Sequence, residues 1–202
     1  MNAAPVRLAL ADADARLHGG VFPPKRAAML FDRLRREIDW QGAEIMMFGR
    51  RVAAPRLSAW YGDAAYTYSG LTWPARPMPK VLDEIGAVIE PLAARPFNTV
   101  LANLYRSGKD SMGWHADDEP ELGPEPVIAS VVFGATRRFV FRNKIDTAFK
   151  LEPPFEAGDV MIMGPSTQTY WQHAVPKTAK PVGERINLTF RWIEPVSGLA
   201  LI

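Results

Sequence analysis

The chain has 202 residues, 48% of them hydrophobic and 23% charged, with a formal net charge of +2. That length buries a sizeable core without staples, and the small charge neither requires nor forbids a basic patch. Cysteine is absent, which excludes disulfide frameworks, Cys-ligated zinc, Fe–S clusters and a thiol nucleophile. Eighteen prolines, nearly twice the usual share of about 5%, argue against a helical bundle and for short elements.

No stretch of about 18 uninterrupted apolar residues occurs, so no membrane span is predicted. Asp12 and Asp14 interrupt the apolar run that a signal peptide would need. A cytoplasmic or otherwise intracellular protein is expected. The first helix is predicted from Pro24 to Trp40: Pro23-Pro24 precede it, and Met29, Leu30, Leu34 and Ile38 recur at helical spacing. Met46 to Gly70 is rich in aromatics, Gly and Pro, which suits short strands and loops. A second helix is predicted from Lys80 to about Ile89, with Pro91 ending it.

After residue 96 the pattern changes to short β-branched or aromatic runs bounded by Gly, Pro or Asn-Lys. These are Asn98–Arg106, Val127–Phe133, Arg137–Arg142, Asp159–Met163 and Arg185–Ile193. Turn signals every ten or so residues read as a β-sandwich or jelly roll. The expected architecture is mainly β with flanking helices (α+β), an N-terminal α/β layer packed on a C-terminal β core. A single domain over 1–202 is expected, divided into segments 1–95 and 96–195.

The last strand carries the most chemistry. Alternation places Ile186, Leu188, Phe190 and Trp192 on one face and Arg185, Asn187, Thr189 and Arg191 on the other. The polar face is either solvated or a line of donors suited to a dicarboxylate, which arginine grips with its rigid fork. The strand alone leaves both readings open.

His115-Ala116-Asp117 adds weight to the second. In extended chain, residues i and i+2 point to one side, so an imidazole and a carboxylate converge. His173 is the only histidine downstream. Two histidines and one carboxylate make the facial triad of non-haem Fe(II) oxygenases, and the same ligands suit other divalent ions. Against this stands a surface histidine beside a solvated acidic run, Asp117-Asp118-Glu119. The combination of H-x-D, a distal His and R-x-N-x-T-x-R favours a metal with a bidentate, dicarboxylate co-substrate, of which 2-oxoglutarate is one. His18 is read as structural or exposed.

Several motifs, in order, resemble the AlkB dioxygenases. They are Asn103-Leu104-Tyr105, Gly113 to Glu119, Ile128 to Gly134, Phe139-Val140-Phe141-Arg142 and Arg185 to Arg191. Pro55-Arg56, Tyr61-Gly62-Asp63 and Tyr66 to Gly70 are similar to the duplex-repair branch. The resemblance implies a double-stranded β-helix core with an N-terminal nucleotide-recognition lid. It also implies Fe(II), 2-oxoglutarate and O2, with oxidative demethylation of N-alkylated bases in DNA (1-methyladenine, 3-methylcytosine) and release of succinate, CO2 and formaldehyde. Carried over to this chain, His115, Asp117 and His173 ligate iron. Arg185 and Tyr105 hold the distal carboxylate of 2-oxoglutarate. Asn103 and Arg191 lie near its metal-binding end, with Asn187 and Thr189 between.

An enzyme that acts on a base must take it out of the stack. By resemblance, Tyr68 and His115 sandwich the flipped ring with Tyr66 nearby. Asp118 sits by the exocyclic amine with Glu119 beside it, where a carboxylate favours a cationic lesion. Phe48 aligns with an apolar finger that fills the emptied step. Arg50, Arg51 and Arg56, with Lys177 and Lys180, meet phosphates without reading sequence. The expected protein is a monomer on alkylated DNA. The alternatives are the same chemistry on RNA or a protein side chain, or a non-catalytic nucleic-acid-binding jelly roll.

Overall fold

The computed structural model describes residues 4–47, 50–68 and 71–194, with backbone alone at 45–47, 50–51, 66–68 and 71–72. The first half runs β1 (Val6–Arg7), β2 (Ala15–His18), α1 (Pro24–Glu37), β3 (Gln41–Met47), β4 (Arg50–Gly62), β5 (Tyr66–Tyr68), β6 (Leu71–Trp73) and α2 (Lys80–Ala93). The second half runs β7 (Thr99–Tyr105), β8 (Met112–His115), β9 (Ile128–Gly134), β10 (Val140–Asn143), β11 (Lys150–Leu151), β12 (Val160–Met163), α3 (Pro165–Tyr170), β13 (Trp171–Val175) and β14 (Arg185–Arg191).

The strands form an eight-stranded sheet, β1-β2-β12-β9-β14-β7-β4-β3, a four-stranded sheet, β11-β10-β13-β8, and the β5-β6 hairpin. The large sheet draws strands from both ends of the chain, so β2, β3 and β4 extend the same ladder as the strands after residue 96. It is buried on both faces, and period-two alternation sorts its side chains into two cores. Val100, Ala102 and Leu104 of β7, Ile186, Leu188 and Phe190 of β14, and Val131 and Phe133 of β9 pack under α1 and α2. The intervening residues Leu101 and Tyr105 of β7, Val132 of β9, and Met161 and Met163 of β12 point the other way. They meet Phe141, Trp171 and Val175 of the small sheet. Helices, large sheet and small sheet thus form three layers, and the two facing sheets are the jelly roll.

Both long helices were foreseen, with different ends. α1 begins at Pro24, whose fixed φ and missing N–H suit a first helical turn, and it stops at Glu37 because Ile38 is extended. α2 runs past the expected stop: Pro91 lies inside the helix, which closes only when Ala94 turns left-handed. A proline in the last turn forfeits one hydrogen bond there and does not break the earlier ones.

The larger correction concerns Met46 to Gly70, expected as short strands and loops. Thirteen of those residues form the single strand β4. Pro55 is tolerated because the β3–β4 register shifts between Gly42 and Glu44, and β7 pairs only from Leu57 onward. The missing N–H therefore falls at a bulge rather than on a ladder bond. The strands β2, β8 and β13, also unforeseen, are five residues or shorter and carry too few apolar positions to show a period.

Candidate active site

The site lies between the two sheets, against the centre of the large one. Residues at 99, 101, 103 and 105 of β7 and at 185, 187, 189 and 191 of β14 face the small sheet, and the antiparallel register sets them side by side. Tyr105 pairs with Arg185, Asn103 with Asn187, Leu101 with Thr189 and Thr99 with Arg191. Asn103, Tyr105, Asn187, Thr189 and Arg191 line one small cavity together with His115, Asp117 and His173. Arg185, Asn187, Thr189 and Arg191 are all buried. The polar face of the last strand is therefore not solvated.

The small sheet supplies the histidines. β8 and β13 pair so that His115 stands opposite His173, with ring centroids 4.2 Å apart. Asp117 follows two residues after β8, and the ligand atoms of His115, Asp117 and His173 all lie within 4.8 Å of one another. His115 donates Nδ1–H to the Gly113 carbonyl, 2.9 Å away. A carbonyl only accepts, so the proton is fixed on Nδ1 and the Nε2 lone pair is left for a metal. Burial, reinforced by the neighbouring His173, pushes the His115 pKa down to about 3, so the ring is neutral near pH 7.

Asp117 is 1% exposed. Burial alone would raise its pKa, but the adjacent Arg191 guanidinium and His173 outweigh that and hold the carboxyl well below its ordinary range. Arg191 donates Nη2–H to Oδ1, while Oδ2 has no hydrogen-bond partner among the described residues and stands 3.4 Å from His173 Nε2. The donor set is two imidazole nitrogens and one ionised oxygen, which fits a divalent first-row ion with open positions.

A second polar chain runs along β14. Arg185 donates Nη2–H to Asn187 Oδ1 at 3.1 Å, and Asn187 donates its amide to Thr189 Oγ1 at 3.1 Å. The Arg185 guanidinium lies between the rings of Tyr105 (5.4 Å) and Phe155 (5.9 Å). Burial lowers its pKa to about 10, so it remains cationic at neutral pH. Among the described residues, its Nε and Nη1 are buried with no hydrogen-bond partner. A buried cation with unused donors is costly unless an anion completes it. Beside Asn187 on β7, Asn103 Oδ1 accepts from Arg56 Nε and Ser58 Oγ, both at 2.9 Å, which turns the Asn103 amide N–H toward the cavity.

Not every expected contact is met. Arg56 was expected on a phosphate; instead it is buried, held by Asn103 and the Ser111 carbonyl, because it faces inward from β4. Asp118 is exposed and pairs with Lys144 at 2.9 Å. Glu119 is half-buried, and Lys177 and Lys180 are exposed on the loop after His173. Phe48 lies outside the described residues, as do the side chains of Arg50, Arg51, Tyr66 and Tyr68. His18 sits half-buried on β2 and takes no part in the metal group. The sequence reading did not single out Ser58, Gln168 or Ser130. Ser130 had a signal, being the one polar residue of the otherwise apolar β9, whereas Ser58 shares the inward face of β4 with Arg56 and does not stand out. Gln168 had none.

The profile of the 2OG-Fe(II) oxygenase superfamily matches residues 14–191. Human "DNA oxidative demethylase ALKBH2" is 39% identical over 186 residues, covering 86% of this chain and 71% of that protein. The chain belongs to the AlkB family of 2-oxoglutarate- and Fe(II)-dependent oxygenases. Its AlkB relatives include the bovine and human proteins named "Alpha-ketoglutarate-dependent dioxygenase alkB homolog 3", 41% and 39% identical over 85% and 89% of the chain. The chain spans just under two thirds of their length, 63% and 66%. A solved structure described as "The structure of OsALKBH1" shares the fold, with a TM-score of 0.68 at 16% identity over 94% of this chain and 100% of that one. The family's cofactors are Fe(II) and 2-oxoglutarate, and the triad and the unused donors of Arg185 fit both.

Proposed function

We propose that the chain oxidatively demethylates N-alkylated bases in DNA, of the 1-methyladenine and 3-methylcytosine type. It would consume O2 and 2-oxoglutarate and release succinate, CO2 and formaldehyde. The observation that carries the co-substrate assignment is the buried Arg185 guanidinium with Nε and Nη1 unpartnered, beside a cavity whose other wall holds His115, Asp117 and His173. A diacid whose far carboxylate meets Arg185 and Tyr105 satisfies those donors and directs its other end toward the triad.

The residues divide the work. His115, Asp117 and His173 hold the metal, and Fe(II) bound there supplies the O2-dependent oxidation of the N-alkyl carbon. Arg191 keeps Asp117 ionised and occupies one of its oxygens. Arg56 and Ser58 aim the Asn103 amide at the co-substrate. Apolar walls from Leu101, Met112, Phe139 and Val175 exclude water.

The nucleic-acid part rests on the likeness to relatives named as DNA oxidative demethylases. Exposed Lys177 and Lys180 suit phosphates, and Asp118, with Glu119 next to it, suits a cationic lesion once Lys144 releases it. The protein is read as one monomeric catalytic unit acting inside the cell, and the sheet shared between its two halves supports a single domain. The test is mass spectrometry of methylated oligonucleotides, single-stranded DNA, duplex DNA and RNA, with Fe(II), ascorbate and 2-oxoglutarate. The expected result is loss of one methylene mass per lesion from DNA, dependent on 2-oxoglutarate. Lesions left intact on every strand form, with succinate still released, would remove the nucleobase substrate and keep the oxygenase.

A further inference from the structure

The short helix α3 is held by the N-terminal segment. The Asp14 carbonyl accepts from Gly164 N at 2.6 Å and Thr167 Oγ1 at 2.8 Å, and Asp14 N donates to Ser166 Oγ at 3.0 Å. The approach is close enough that a Cβ on Gly164 would stand 3.1 Å from that of Asp14. At the other end, Trp171 Nε1 donates to the Ala11 carbonyl at 2.8 Å.

From this clamped helix Gln168 reaches across to the metal triad. Its Oε1 accepts the backbone N–H of Asp117 at 2.9 Å, and both residues are 1% exposed. A backbone N–H can only donate, so the amide orientation is settled. Asp117 lies beyond the last paired residue of β8, where no ladder partner reaches its N–H. The remaining Gln168 donor, Nε2, is buried without a hydrogen-bond partner among the described residues. A buried unpaired donor costs about 1–3 kcal/mol, a penalty that an apolar side chain of equal length would not carry. Packing alone therefore does not account for glutamine here.

We propose that Gln168 is a positioning residue for the triad. It fixes the backbone at Asp117 so that the carboxylate faces His115 and His173, and through α3 it ties that geometry to Asp14. Partners that orient metal ligands are worth about 10–100-fold in metal affinity. The proposal rests on the metal-site reading above.

The test is Mn(II) binding to metal-free protein, read from the free-ion EPR signal, for wild type, Gln168→Met and Gln168→Glu. Methionine fills the space without an acceptor, and glutamate keeps an oxygen at the same reach. Gln168→Met should lose about 10–100-fold in affinity, while Gln168→Glu retains most of it. Unchanged affinity in Gln168→Met overturns the proposal, as does equal loss in both variants, which would assign the effect to packing. Wild type that takes no Mn(II) overturns the metal-site reading and the proposal together. If Gln168→Met does not fold, amide exchange in the wild type decides. The Asp117 N–H should exchange far more slowly than that of exposed Asp118, and equal rates overturn the proposal.

Discussion

The two faces of β14 share one backbone and one ladder, yet they do opposite things. Ile186, Leu188 and Phe190 are buried under the helices in a hydrophobic cluster, where burial is favourable in itself. Arg185, Asn187, Thr189 and Arg191 are just as buried, but they form a polar row that includes two unpartnered donors of Arg185. The first face stabilises the fold. The second costs stability that a bound anion would return, and a strand carrying both fixes the site against the most rigid part of the molecule.

That contrast can be broken residue by residue. On the apolar face, Leu188→Ala should destabilise the protein by about 2–5 kcal/mol in denaturant unfolding, because the site is enclosed on all sides. A cost below about 1 kcal/mol would mean that this core is loosely packed. On the polar face, Arg185→Met should leave metal-free, co-substrate-free protein as stable as wild type or slightly more so, since it removes a buried, incompletely paired charge. A loss of several kcal/mol would show that the guanidinium is structural.

Asp110 offers a smaller test, a buried carboxylate that the protein itself satisfies. It accepts from Arg106 N, Nε and Nη2, and although burial would raise its pKa, these Arg106 contacts lower it below 3.8. A carboxyl with a depressed folded-state pKa contributes stability above its unfolded value and loses it as pH falls through the folded one. Asp110→Asn should therefore cost about 1–3 kcal/mol at pH 7. The gap to wild type should close only as pH falls below 3.8. A gap independent of pH would contradict the charge-assisted bonds.

Much of this was legible in the sequence, for physical reasons. Arg185 to Arg191 reads as a two-faced strand because a strand repeats every two residues, and His115 and Asp117 converge for the same reason. His173 and both arginines were recoverable from spacing and ligand chemistry. The buried network behind them was not. Arg56 looked like a surface cation because nothing local shows that β4 turns it inward, and Gln168 meets Asp117 across 51 residues of chain. Pro91 and Pro55 misled in the same way: proline forbids one hydrogen bond, and whether that bond is needed depends on register and on the distance to the helix end.

The most direct measurement is a titration of 2-oxoglutarate into Mn(II)-loaded protein without O2, for wild type and Arg185→Met. Removing one partner of a buried hydrogen-bonded charge pair costs about 2–5 kcal/mol. The expected result is saturable, metal-dependent binding to wild type, weakened at least about 30-fold in Arg185→Met. Equal affinity in the two proteins would mean that the empty donors of β14 do not hold the diacid.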